Sequence, residues 1–262
     1  MTSNTEDANK TGNNAPKTQG ALSETILTIV VAIVIAFILR TFLFQAFHIP
    51  SASMEPSLQG GDYIITTKYS LGYGKYAADP IKLPVKTGRI MEREPKRGDI
   101  IVFKPTGSKV HFIKRLIGLP GDEVQMIGGF LYINGQRLVT EKIADESQSD
   151  SGGNMVRSEV YKEYFADNLL PHTVKHLLQG NNGDDTGVFK VPAGHYFFMG
   201  DNRDNSRDSR FPISVGGVGS VPAANLVGRA EFVLLSVNED FVLFKPWTWG
   251  NIRTGRFFKG LR

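Results

Sequence analysis

Three stretches carry residue types whose spacing could do chemistry. In Pro50-Ser51-Ala52-Ser53-Met54-Glu55-Pro56-Ser57-Leu58, small hydroxyl residues stand between two prolines. Proline cannot continue a helix, so the backbone here is extended or turning, and small side chains let another backbone come close. Such a stretch is either a plain serine-rich turn or a place that presents a nucleophile. In Val110 to Ile117, side chains two apart share a strand face, which aligns Val110, Phe112, Lys114 and Leu116 and turns Arg115 the other way. Lys114 interrupts an otherwise apolar row. Either it snorkels from a strand edge, or burial disfavours its charge and lowers its pKa. A neutral lysine is a general base near pH 7, and a serine hydroxyl is a weak nucleophile that needs one. In Gly200 to Arg210, carboxylates and guanidiniums alternate around amides and hydroxyls. That favours a tightly hydrogen-bonded loop, serving as a structural cluster or as the support that orients a catalytic group.

Other chemistries are poorly supplied. The 262 residues hold no cysteine, which excludes thiolate catalysis, disulfides and cysteine zinc sites without choosing a compartment. There is no Gly-x-Ser-x-Gly elbow, no Ser-x-x-Lys and no P-loop. Asp201 to Asp208 has the look of a calcium loop, but Arg203 takes the third position and Ser206 the place of the turn glycine. His172 and His176 have helical spacing without the glutamate of a zinc protease, so a solvated helix face is expected and no metal site. No cofactor is implied. A net charge of +4 suits contact with anionic lipid, and no basic run interleaved with aromatics before the C-terminus argues for nucleic acid.

Positioning these residues falls to a mostly β chain. Residues 1–21 are polar and read as a disordered tail. Residues 22–46 are apolar apart from a few polar positions such as Arg40, and exceed the roughly 20 residues that span a bilayer as a helix. A cleavable leader is the alternative, but the apolar run is longer than an h-region of about 7–15 residues, so a retained anchor is expected. Lysine counts near it push slightly towards an N-terminus inside. Strands follow at 61–68, 98–103, 110–117, 123–127, 130–133, 136–139, 188–191, 195–199 and 226–237. Asn134-Gly135 is a strong hairpin signal. Between about 140 and 187 polarity rises and periodicity weakens, as in an inserted subdomain. At the C-terminus, Trp247, Trp249, Phe257 and Phe258 mix with Arg253, Arg256, Lys259 and Arg262. This is either a membrane-interface segment or a final strand with a basic tail.

Together the three stretches resemble the bacterial type I signal peptidases, membrane-anchored serine proteases with a Ser/Lys dyad. The serine stretch is similar to that family's nucleophile box. Gly61-Asp62-Tyr63 and Arg97 to Phe103 resemble the strands that come next, and Ile113-Lys114-Arg115 with Gly118-Leu119-Pro120-Gly121-Asp122 resembles the lysine box. Gly200 to Arg210 and Val227-Gly228-Arg229-Ala230 complete the order. Ser57 stands where threonine is frequent and Phe112 where tyrosine is common. The resemblance implies a mainly β fold: one transmembrane helix, then an all-β catalytic domain over 47–140 and 188–262, with a smaller β subdomain inserted at 141–187. It makes Ser53 the nucleophile and Lys114 the general base. Ser51 and the Ser53 N–H would form the oxyanion hole, Ser206 would orient the Lys114 amine, and Asp208 with Arg210 would form a supporting ion pair. It implies removal of signal peptides, with small residues at the first and third positions before the cut. The partners would be preproteins and the phospholipid bilayer, with the catalytic domain on the outer face of the inner membrane. A monomer is expected. Self-cleaving repressors also use a Ser/Lys pair, but they are soluble and begin with a helical DNA-binding domain. A membrane-tethered β adaptor, with the serine turn merely structural, is the non-enzymatic alternative.

Overall fold

The computed structural model describes residues 18–79, 81–86, 88–149, 155–166, 170–178, 183–238 and 240–261. Helix α1 runs Thr18–Phe42, and its stretch Leu22–Phe42 is long and apolar enough to cross a membrane, with a mean hydropathy of 2.6. The helix starts earlier and stops sooner than the composition suggests. Residues 18–21 are helical despite their polarity, and the apolar Phe44–Phe47 leaves the helix to become a strand. Its aromatics find strand partners, which outweighs continuation of the apolar run. Residues 1–17, expected to be disordered, lie outside the described residues.

The strands are β1 Phe44–His48, β2 Asp62–Thr67, β3 Ile100–Phe103, β4 Phe112–Gly118, β5 Glu123–Ile127, β6 Phe130–Ile133 and β7 Gln136–Arg137. They continue with β8 Val139–Ser149, β9 Met155–Tyr164, β10 His172–Leu177, β11 Phe189–Lys190, β12 His195–Met199, β13 Val221–Pro222 and β14 Leu226–Ser236. They form a seven-stranded sheet in the order β1-β2-β14-β3-β4-β12-β13, a four-stranded sheet β11-β5-β6-β7 and a three-stranded sheet β10-β9-β8. The strand-to-strand pairings are antiparallel. The chain is thus mainly β behind one apolar helix. Asn134 and Gly135 both take positive φ, 54° and 76°, as the tight turn from β6 into β7 requires.

The serine stretch is fixed from below. Met54 and Leu58 are both 0% exposed, in a cluster with Ile49, Ile64, Val102 and Val233. Burying each such side chain contributes about 1.5–3 kcal/mol, which fastens the turn to the sheet at two points four residues apart. Backbone bonds from Leu58 N to Met54 O (2.9 Å) and from Ile49 N to Asp62 O (2.8 Å) close it.

Two expectations are corrected. His172 and His176 lie on β10 and not on a helix, and His172 is buried, stacked on Phe165 at 4.7 Å. The C-terminal segment is no strand. It forms short 3-10 turns at Pro246–Asn251 and Thr254–Arg256, and two of its cations turn inward. Arg256 pairs with buried Asp62 at 2.5 Å, and Arg253 donates to Gln59 Oε1 at 3.1 Å. Phe244, Trp247 and Phe258 stay exposed.

Candidate active site

β4 is covered on both faces, so its residues from Lys114 to Gly118 are all buried. Its pairing with β3 sets Lys114 opposite Ile101. From there the Lys114 side chain reaches the serine turn: Nζ donates to Ser53 Oγ at 2.5 Å and to Ile113 O at 3.0 Å. Ser53 and Lys114 are 9% and 4% exposed. Burial, the largest influence, lowers the lysine from its ordinary 10.5 to about 8. The Asp208 and Asp201 carboxylates pull it back up, and Arg210 pushes it down again. Ser51 Oγ stands 3.3 Å from Ser53 Oγ. Both serines and Lys114 line a cleft of about 370 Å³, whose walls include Phe47, Ile49 and Ile113.

The polar loop supports this pair from the other side. Asn202 N donates to Ser53 O at 3.2 Å, and Asn202 Nδ2 to Ala52 O at 3.1 Å. A Cβ on Gly200 would stand 2.3 Å from Ser53 O and 2.4 Å from Ser206 Oγ, so only glycine allows this approach. Asp208 and Arg210 form a two-pronged ion pair, both contacts 2.9 Å, and Gly200 N donates to Asp208 at 3.0 Å. Burial alone would raise the Asp208 carboxyl. Arg210 and the Gly200 N–H together outweigh it and hold the carboxyl below its ordinary range. The Lys114 amine finds Ser53 and the Ile113 carbonyl, not Ser206; Ser206 is buried beside Gly200, its hydroxyl without a hydrogen-bond partner among the described residues.

Sequence reading passed over two further pairs. Arg115, turned to the opposite face, is as buried as Lys114 and grips Asp201 at 2.7 and 2.6 Å. Arg203, fully buried, holds Glu163 of β9 at 2.9 and 2.5 Å, and His172 Nε2 lies 3.0 Å from the same carboxylate. Lys175 N also donates to Asp201 O at 2.8 Å. The three-stranded sheet is therefore bonded directly to the polar loop. Among the described residues no cluster could hold a metal ion.

Comparison with known proteins gives this arrangement its family. Residues 22–235 match the family described as signal peptidase, peptidase S26. The chain belongs to that family. Similar relatives include the signal peptidase I of Rickettsia typhi (strain ATCC VR-144 / Wilmington), 35% identical, with 94% of this chain and 96% of that one covered. The signal peptidase I of Rickettsia felis (strain ATCC VR-1525 / URRWXCal2) is 36% identical, covering 87% of this chain and 89% of that one. A signal peptidase I of Enterococcus faecalis V583, known from a crystal structure, is 28% identical; 52% of this chain and 97% of that chain are covered, with a TM-score of 0.29. As a peptidase S26 member the chain is a serine endopeptidase, and the match includes α1 from Leu22 as well as the strands from β1 to near the end of β14.

Proposed function

We propose that the protein removes signal peptides from preproteins with Ser53 as nucleophile and Lys114 as general base. The reading rests on one observation, the 2.5 Å contact between Ser53 Oγ and a buried lysine amine whose pKa is lowered to about 8. In its neutral form the amine takes the hydroxyl proton while Ser53 Oγ attacks the carbonyl carbon at the cleavage site. The electron pair moves onto the carbonyl oxygen. Ser51 Oγ and the Ser53 N–H are the donors assigned to that oxyanion, a type of contact whose loss typically costs ~100–1,000-fold. Collapse expels the mature N-terminus, which takes a proton from the Lys114 ammonium, and leaves an ester on Ser53. Water, deprotonated by the same amine, hydrolyses the ester and frees the signal peptide.

Asp208 with Arg210 keeps the loop charged and rigid behind the lysine. Ser206 is assigned to orient Lys114 indirectly, through its packing against Gly200 and Asp208. α1 is the bilayer anchor, with the β structure on the outer face of the inner membrane. Confinement to the surface where preproteins emerge raises their effective concentration. The exposed Phe244, Trp247 and Phe258 suit the same interface.

The test is cleavage of a preprotein by the full chain in vesicles. Ser53→Ala and Lys114→Ala should each abolish it while the circular dichroism spectrum stays that of the parent. Unchanged cleavage in either variant would refute the dyad.

A further inference from the structure

The cleft holds one cation that the proposed chemistry does not use. Ser206 is in extended backbone, at φ −136° and ψ 121°, and is buried. Neighbours along extended backbone point to opposite sides, so Arg207 is turned outward and lines the cleft that holds Ser51, Ser53 and Lys114. The turn Ile213–Val215 positions its side chain. Arg207 Nη1 donates to Val215 O at 3.3 Å, and the guanidinium lies over Gly216. A Cβ at Gly216 would come within 2.8 Å of Nη1. One weak bond uses little of a guanidinium's five donors. Among the described residues no carboxylate pairs with Arg207, and none lines the cleft.

The cleft lining is of two chemical kinds. Phe47, Ile49, Val102, Phe112 and Ile113 are apolar, and Phe47 makes a ring contact with His111 at 5.2 Å. Ser51, Ser53, Lys114 and Arg207 are polar. The loop carrying Arg207 bears on the carbonyl of Ser53 through Asn202. On the reading proposed above, the apolar lining takes the small apolar residues of the signal peptide. Arg207 is then left for the chain beyond the cut.

We propose that Arg207 forms a subsite for a carboxylate side chain within the first two residues of the mature protein. A planar guanidinium held against a turn is suited to two-pronged recognition of a carboxylate. Its contribution belongs to substrate choice and not to bond breaking.

The experiment compares substrates that are identical except for Glu or Gln at the first or second position after the cut, with matched pairs at two positions before it. The full chain in vesicles is the enzyme. Cleavage of the Gln substrate, lost in Ser53→Ala, tests the proposed function separately; no such cleavage would overturn that function and, with it, the substrate assumed here. With cleavage present, the mature-side Glu substrate should exceed its Gln partner in kcat/KM by about fivefold, the upper end for an exposed ion pair, with the difference in KM. The ratio should approach one in R207Q and in high salt, and invert in R207E when Lys replaces Glu. A ratio unaltered in R207Q and R207E, or a charge preference confined to positions before the cut, would overturn the subsite.

Discussion

Arg115 and Asp201 meet in a two-pronged ion pair at 2.7 and 2.6 Å, one residue beyond Lys114 on β4 and one beyond Gly200 in the polar loop. The Arg115 guanidinium also donates to Gly98 O at 2.7 Å and to Ser57 Oγ at 3.2 Å. A single side chain thus ties the polar loop, the serine stretch and the entry to β3 together. Burial would raise the Asp201 carboxyl, but Arg115 holds it below its ordinary range.

Arg115→Ala should therefore destabilise the protein by about 3–5 kcal/mol, because it leaves the Asp201 charge buried and unpaired. Urea unfolding measures this. Replacing both residues with apolar ones of similar volume should cost less than the single change; a double variant weaker than Arg115→Ala would count against the ion pair as the cause.

The rate should depend on pH through Lys114. On the proposed dyad its neutral form is the base, so kcat/KM rises about tenfold per pH unit below about 8 and levels off above. Asp208→Asn removes a carboxylate that favours the ammonium and leaves Arg210 to repel it. The rising limb should then move to lower pH. A limb that stays in place or moves up would contradict this electrostatic link.

Gly200→Ala places a methyl 2.3 Å from Ser53 O and 2.4 Å from Ser206 Oγ. One of them has to shift. A displacement of about 1 Å at a reacting group costs about 100-fold, so kcat should fall by about that factor with KM little changed. Steady-state kinetics on a variant that still melts cooperatively is the measurement.

Stability should fall on acidification through His172. Burial, then Arg115, lowers its pKa from the ordinary 6.5, although Glu163 pulls the other way. The unfolded chain then binds a proton that the folded chain refuses, so stability is full above about 6.5 and declines below it. Melting temperatures between pH 7 and 5 should show the decline, and His172→Gln should lessen it, with half-buried His176, lowered to about 4, accounting for a share that remains.

The sequence was most readable where one face of an element is apolar. The row Val110, Phe112, Lys114, Leu116 left a snorkelling and a buried lysine both open, and β4 buries it, although Val110 itself is exposed before the strand begins. The same alternation turned Arg115 to the opposite face without showing that this face is interior too. In a strand covered on both sides, the opposite face is also interior, and an arginine there is hidden with its carboxylate partner 86 residues away. His172 and His176 were unreadable for a different reason. A spacing of four keeps two side chains on one face in a helix and in a strand alike, so spacing alone could not choose. Glu163 left no local trace, because its partner Arg203 lies 40 residues on and β9 mixes charges with apolar residues. The C-terminal cations gave a false surface signal for the same reason: Asp62, which receives Arg256, is 194 residues away.

The pairing of β3 with β4 sets Lys114 against Ile101 and Arg115 against Ile100. A slip of one residue would exchange the two on the faces of the sheet. The group offered to Ser53 would then be a guanidinium, which does not lose its proton in the working pH range. Such a molecule could keep much of its hydrogen bonding and still be inert. With the proposed dyad, turnover by this enzyme is accordingly a direct assay of strand alignment: each active molecule certifies that its central strands have paired in a single frame.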